Sequence, residues 1–346
     1  MNALVRYVVR RILGTIPILL ALTVIIFFLT RLIGDPASAY VTPQMGPAEI
    51  ARIKEIYHFN DPIPTQYYHY MLGLLRGDWG YSRSQGIPVL AAIVSFLPAT
   101  IELAVAAFLL SFFGGIALGT VSAVKRDRPI DHATRLFALG GYALPGFFLG
   151  LLLLYVFYTQ LRWVGPGRLS DVVVLAEFPP GGGFQEYTGF LLLDSVLNGN
   201  GRVFVDAAVH LVLPAITLAA GSMALVTRVM RSSMLDVLGR EYVRTARAKG
   251  LEESIVIRRH ARRNALVPVT TVAGVYFGGL IGYAVMVELV FLWPGLGRWG
   301  ARAALTLDHA AILGFALVVG MVYIVSNLVV DIAYAYLDPR IRIGRA

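Results

Sequence analysis

The chain has 346 residues, a formal net charge of +9 and a mean hydropathy of +0.68, with 57% hydrophobic and only 15% charged residues. A soluble domain carries about 25% charged residues, so the composition excludes an ordinary water-soluble fold and points to a chain solvated largely by lipid. Cysteine is absent, which excludes disulfides and thiolate-held metals, and the basic excess suits either nucleic acid or the cytoplasmic ends of membrane helices.

A bilayer-spanning helix needs roughly 20 apolar residues. Six charge-free runs are close to or above that length: Ile12–Thr30, Leu103–Val124, Leu136–Gln160, Ala207–Thr227, Ala265–Val287 and Ala310–Val330. The expected fold is therefore all-α and polytopic, with six transmembrane helices. Residues 1–30 form the N-terminus and first span. That span reads as an uncleaved anchor: it is longer than the about 7–15 residues of a signal-peptide core, and Arg31 separates it from the "ASA" at Ala37–Ala39.

Residues 31–96 form an outer segment expected to fold as a cap. It contains the amphipathic "PAEIARIKEIYHF", with Ile50, Ile53 and Ile56 three apart, and the aromatics Tyr67, Tyr68, Tyr70 and Trp79, which suit a membrane interface. The charge-free run Ser84–Ile101, with Gly86, Pro88 and Pro98, reads as an interfacial lead-in to the second span. Residues 97–346 form the core, interrupted by an outer insert at 159–206 and a charged inner loop at 228–264. The patches "GGIALG" (Gly114–Gly119) and "FGGLIG" (Phe277–Gly282) predict close helix packing in spans two and five.

Cytoplasmic loops retain excess Lys and Arg. With the N-terminus inside, the inner segments hold twenty basic residues and the outer ones ten, so both termini are expected in the cytoplasm.

The inner loop "REYVRTARAKGLEESIVIRRHARRN" (Arg240–Asn264) has good helix formers up to Lys249, a stop at Gly250, and a second helix opening on Glu252 and Glu253 and ending on Arg258, Arg259, Arg262 and Arg263. Ala246 and Gly250 stand four apart, and Thr245 and Ala248 three apart. They group small side chains where another surface could approach, although a solvated loop that only sets topology fits as well.

"EYVRTARAKGL" resembles the cytoplasmic coupling loop of permeases of bacterial ABC importers, in the subfamily for dipeptides, oligopeptides and nickel. Arg244, Thr245 and Ala246 stand where the general pattern has Glu-Ala-Ala, and Gly250 supplies its glycine; Arg263 replaces a proline, and Pro268 matches a later one. "RLIGDPAS", "GDWGYS", "LPATIEL", "GYALPGFFLG", "HLVLPAITL", "WPGLGRW" and "NLVVDIAYAYLDPRIR" look like the same subfamily in its order, and "GRLSDVVVL" with "TGFLLLDSVL" is similar to its dipeptide branch.

The resemblance implies the type I ABC importer permease fold in the bacterial inner membrane, working with a second homologous permease, two ATPase subunits that carry ATP and magnesium, and an extracytoplasmic substrate-binding protein. It implies a substrate of dipeptides or short peptides, with nickel chelate or haem as the alternative. ATPase docking would fall on Glu241, Tyr242, Arg244, Thr245, Ala246, Arg247, Ala248, Lys249, Gly250 and Leu251, with a lesser contact at Lys125, Arg126, Asp127 and Arg128. The chain itself cannot bind ATP through a phosphate-binding loop, because Lys54, Lys125 and Lys249 follow Ile, Val and Ala rather than Gly.

Ionisable groups at the spans are costly unless paired or wet. Glu102 and Glu288 are candidates for a translocation vestibule, with a structural pair as the other reading; His210 reads as a hydrogen-bonded structural residue, and Asp331 as the partner of an inner-loop arginine. Six histidines without H-E-x-x-H spacing give no catalytic or metal site, and neither a cofactor nor nucleic acid is expected of this chain.

Overall fold

The computed structural model describes residues 3–33, 35, 37, 41, 45–179 and 183–337. The arginines after Asp338, the side chains of Arg6 and Asp331, and Ser38 and Ala39 lie outside them. The fold is almost wholly helical. Five helical runs are long and apolar enough to cross a membrane: Val8–Leu29 within α1 (Ala3–Ile33), α4 (Val89–Val124), α9 (Gly201–Leu238), the run Glu253–Val290, and His309–Val330 within α14 (His309–Leu337). The fourth run comprises α11 (Glu253–Ile255), a π-helical turn at Val256–Ala261 and α12 (Arg262–Val290).

The sixth run is not straight. The expected span Leu136–Gln160 is divided between α5 (Pro129–Ala143) and α6 (Gly146–Leu154), the latter prolonged by a π-helical turn over Tyr155–Gln160, with a bend of 105° between the two halves. The cause is local. A residue before proline is pushed out of the helical region, and Leu144 before Pro145 is extended at φ −79°, ψ 129°. The half upstream of the bend lies along α9 through Asp131, Thr134 and Ala138, which are buried at helical spacing, while Leu136, Phe137 and Leu139 stay exposed on its other side.

Other prolines do not break their helices. Pro98 and Pro214 sit inside α4 and α9, as membrane helices tolerate when neighbours satisfy the freed groups. Because α4 continues through Pro98, the separate lead-in Ser84–Ile101 is not formed. Residues 84–88 belong to a small hairpin pairing β1 (Tyr81–Ser82) with β2 (Ile87–Pro88), and the rest is the opening of α4.

The centre of the bundle is α4 against α9. A Cβ on Gly115 would lie 2.5 Å from Val226 Cγ1, and one on Gly119 would lie 2.6 Å from both Met230 Cβ and the Thr227 carbonyl oxygen. The first patch therefore packs helices as expected. The second does so only in part: a Cβ on Gly278 would meet Asn327 and Tyr323 of α14, whereas one on Gly282 meets nothing.

The outer segment folds into α2 (Pro47–Ile56) and α3 (Ile63–Leu75), then the hairpin, while the outer insert carries the short helices α7 (Asp171–Glu177) and α8 (Leu191–Leu197). The aromatics of the outer segment have contacts within the chain that the interfacial expectation did not include. Tyr67 donates or accepts a 2.8 Å bond with Thr23 and meets Phe27 edge-on, Tyr70 also lies against Phe27, and Trp79 packs into the cluster of Trp299 and Leu296, so only Tyr68 is well exposed. The aromatics thus seat the cap on α1 and on α13 (Leu296–Leu305).

Replacing Gly119 with Leu is expected to force α4 off α9 and to lower both the yield of folded protein and its thermal midpoint in detergent. Gly282→Leu should leave both near wild type. Equal midpoints for the two variants would show that the close approach is dispensable.

Candidate functional site

The charged inner loop forms α10 (Glu241–Ala248) as the sequence predicts. It is capped by extended Arg240 and ends before Gly250, whose φ of +75° is a conformation that disfavours any side chain. A fold-specific inner face holds it in place: Val243 and Ala246 are buried against Val256, Val237 and Leu238. This corrects the small-residue patch, because Ala246 faces its own chain.

Glu241, Tyr242, Arg244, Thr245, Arg247, Ala248, Lys249, Gly250 and Leu251 are exposed. Several are ordered by local bonds. Arg244 pairs with Glu241 at 3.0 Å, Arg247 forks onto Glu253 at 2.6 and 3.0 Å, and Tyr242 accepts a 3.1 Å bond from Asn264. Where the general pattern has proline, Arg263 lets the exit run unbroken into α12.

The second candidate contact, Lys125–Arg128, is an exposed turn in which Asp127 has φ +60°. It is anchored by Asp131, which the sequence reading missed. That carboxylate is fully buried, accepts the Asp127 N–H at 3.0 Å and the Ser122 hydroxyl, and receives both Arg231 Nε and Nη2 at 2.8 Å. The only available signal was an acid at the first turn of a helix opened by Pro129. Arg231 lies on α9, which leads directly to α10, so both exposed loops are fastened to one helix.

At the opposite end, Glu102 and Glu288 do not line an open vestibule. Glu102 pairs with Arg168 and accepts the Leu192 N–H at 2.9 Å, tying α4 to the outer insert. Glu288 is wholly buried: Thr100 Oγ1 donates to it at 2.6 Å and the Arg298 N–H at 2.9 Å, while Thr100 accepts the Leu296 N–H at 2.8 Å. Gly295 and Gly297 are required here, because a Cβ on Gly295 would run into the carboxylate and one on Gly297 would lie 2.6 Å from Val285 Cα. The "WPGLGRW" stretch thus wraps a buried acid. Burial of the two carboxylates is tolerated because both oxygens of each accept a hydrogen bond.

The open concavity at that end is instead a cavity of about 870 Å³, lined by Tyr158, Arg162, Trp163, Arg202, Asp206 and His210 among others. His210 is structural as expected, with Nδ1 2.8 Å from the Asp206 carbonyl oxygen. Finally, the turn after α2 and the helix α3 bring His58, Asp61 and His69 together, a grouping that their spacing in the sequence does not announce.

Long lipid-length helices around a tightly packed pair, with an amphipathic helix presented at one end, define a polytopic membrane protein. Residues 115–343 match the family described as "Binding-protein-dependent transport system inner membrane component", and residues 4–104 match its N-terminal counterpart. The chain is 42% identical over 337 residues to a probable D,D-dipeptide transport system permease protein of Escherichia coli, covering 97% of each chain. It is 38% identical over 344 residues to a dipeptide transport system permease protein of the same species, covering 98% of this chain and 99% of the relative. It is 36% identical over 337 residues to an oligopeptide transport system permease protein of Bacillus subtilis, covering 97% and 98%. The chain belongs to the family of binding-protein-dependent transport system inner membrane components. It is a permease subunit of an ABC importer, multi-pass in the inner membrane, and not an enzyme.

Glu288→Ala strands Thr100 and the Arg298 amide in a buried site and is expected to cost about 2–4 kcal/mol of stability. Glu288→Gln, which still offers an accepting oxygen, should recover part of it. Thermal unfolding of the solubilised protein measures both.

Proposed function

We propose that this chain and a second, homologous permease line the translocation pathway for dipeptides or short peptides, handed over by an extracytoplasmic binding protein, and that two ATPase subunits drive it by docking on α10. The observation that carries this reading is the two-sidedness of α10. Its inner face is locked to this chain by Val243 and Ala246, while the residues around Arg244 and Thr245 project outward on an ordered scaffold. A loop that served only to set topology would need charge but no such scaffold. The turn at Lys125–Arg128 is the lesser contact, and the Asp131–Arg231 fork links its movement to that of α9.

Peptides are favoured over nickel chelate or haem by the relatives, which are permeases of dipeptide and oligopeptide systems. ATP and magnesium belong to the ATPase subunits in this reading. The cap formed by α2 and α3 faces the binding protein, with Arg52 and Glu55 exposed on α2; Glu49 is committed to capping the Gly46 N–H at 3.0 Å.

The test substitutes outward residues and leaves Ala246 alone. Arg244→Glu with Thr245→Trp should preserve the assembled complex, reduce peptide uptake by about tenfold or more, and abolish stimulation of ATP hydrolysis by the loaded binding protein. Normal uptake by the assembled double variant would overturn the docking role.

The excess of basic residues at the α10 end supports a topology with both termini in the cytoplasm. The absence of native cysteine makes this simple to check. In intact cells, a membrane-impermeant thiol reagent should label Glu55→Cys and spare Lys249→Cys; the reverse pattern would invert the topology.

A further inference from the structure

The turn joining α2 to α3 brings His58 and Asp61 up to His69 of α3, three side chains of metal-binding type for which import has no evident use. The helix α2 ends at Ile56, and the chain reverses through His58, whose φ of +58° lies in the left-handed region. This conformation carries its ring onto that of His69 in α3. The two imidazoles are parallel within 4°, with centroids 3.9 Å apart. His58 Nδ1 also lies 3.0 Å from Asp61 Oδ2.

The turn is braced from beneath by Gln66, a buried residue. Its Nε2 donates to the carbonyl oxygens of Phe59 at 2.9 Å and Asp61 at 2.8 Å, and its Oε1 accepts from Arg31 at 3.0 Å. Gln66 holds only the backbone of Asp61, so the carboxylate is engaged by His58 alone, through the 3.0 Å contact that metal binding would replace. One ligand atom from each of His58, Asp61 and His69 lies within 4.8 Å of the other two, and all three residues are half-buried. A four-coordinate zinc ion, with ligands at about 2.0–2.2 Å, needs neighbouring ligand atoms about 3.3–3.5 Å apart. The stacked rings place their in-plane lone pairs side by side, so binding requires the two imidazoles to rotate about their side-chain torsions until those lone pairs converge, while the braced backbone stays in place.

The geometry points to a binding site for a divalent first-row transition metal, formed by two neutral imidazoles and one carboxylate, with water at an open fourth position. Imidazole and carboxylate together suit Zn²⁺ and Ni²⁺ better than the oxygen-demanding Ca²⁺ or Mg²⁺. Bound metal would cross-link the turn to α3 and stiffen the cap that sits on α1. The proposal is independent of the peptide substrate and of docking at α10.

The test uses the assembled importer, stripped with chelator and titrated with Zn²⁺ alone. The wild-type complex should retain one more Zn²⁺ than a complex carrying His58→Asn with His69→Gln, and Co²⁺ should give the intense visible bands of a four-coordinate site only in wild type. Unchanged subunit stoichiometry and basal ATP hydrolysis verify that the variant is folded. Should it not assemble, Asp61→Asn removes one ligand while leaving the backbone brace, and about tenfold or weaker Zn²⁺ retention is expected. Equal Zn²⁺ uptake by wild type and variant, meaning adventitious binding elsewhere, would overturn the site.

Discussion

Lipid gives two apolar helices no hydrophobic reason to prefer each other over their surroundings, so their pairing depends on how closely their backbones approach. In this chain that constraint is met by Gly115 and Gly119 of α4, which admit Val226, Thr227 and Met230 of α9 into space that a side chain would occupy. Everything else is arranged around this pair. The helix α5 lies along α9, α12 packs against both members, and the loop carrying α10 continues from the end of α9. The exposed apolar faces of α1, including Ile12, Leu13 and Ile16, are what such a bundle offers to lipid or to a second subunit.

Buried acids play a consistent part at the ends of the bundle. All but Glu102, which lies inside α4, sit where a loop meets a helix terminus, and each converts loose backbone into fixed geometry. Asp131 secures the turn after α4. Glu102 secures the insert through Arg168, and Asp194, buried in the insert itself, accepts the N–H groups of Thr188 and Gly189. Glu288 orders the turn before α13. Asp308 accepts from Ser82 Oγ and the Ser84 N–H at 2.9 and 2.8 Å, fixing the hairpin to the start of α14. An unsatisfied polar group is expensive at membrane depth, so such residues are retained only where every oxygen has work.

The helical class, the long apolar runs and the helix α10 were legible in the sequence because they rest on runs of composition and on local stop signals such as Gly250. What could not be read was direction. Ala246 looked available because its spacing to Gly250 is helical, but only the packing of Val243 and Val256 decides which way that face turns. Glu102 and Glu288 were visible as anomalies in apolar surroundings, yet their partners lie 66 and 188 residues away along the chain, at Arg168 and Thr100. The charge-free run Leu136–Gln160 hid a break, since hydropathy is blind to what Pro145 does to Leu144. His58 and His69 meet through a left-handed residue, which no spacing rule anticipates.

The helix α9 has 38 residues, which at 1.5 Å per residue makes a rod of about 57 Å, nearly twice the thickness of the hydrocarbon core. Its glycine-lined contact with α4 reaches from Val226 to Met230, while Asp206 borders the large cavity at one end and Arg231 grips Asp131 towards the other. One continuous helix thus reaches from the cavity to the loop that carries α10. A tilt of about 10° around its midpoint would sweep its two ends about 5 Å in opposite directions, so a push received on one side of the membrane arrives on the other with its sense reversed.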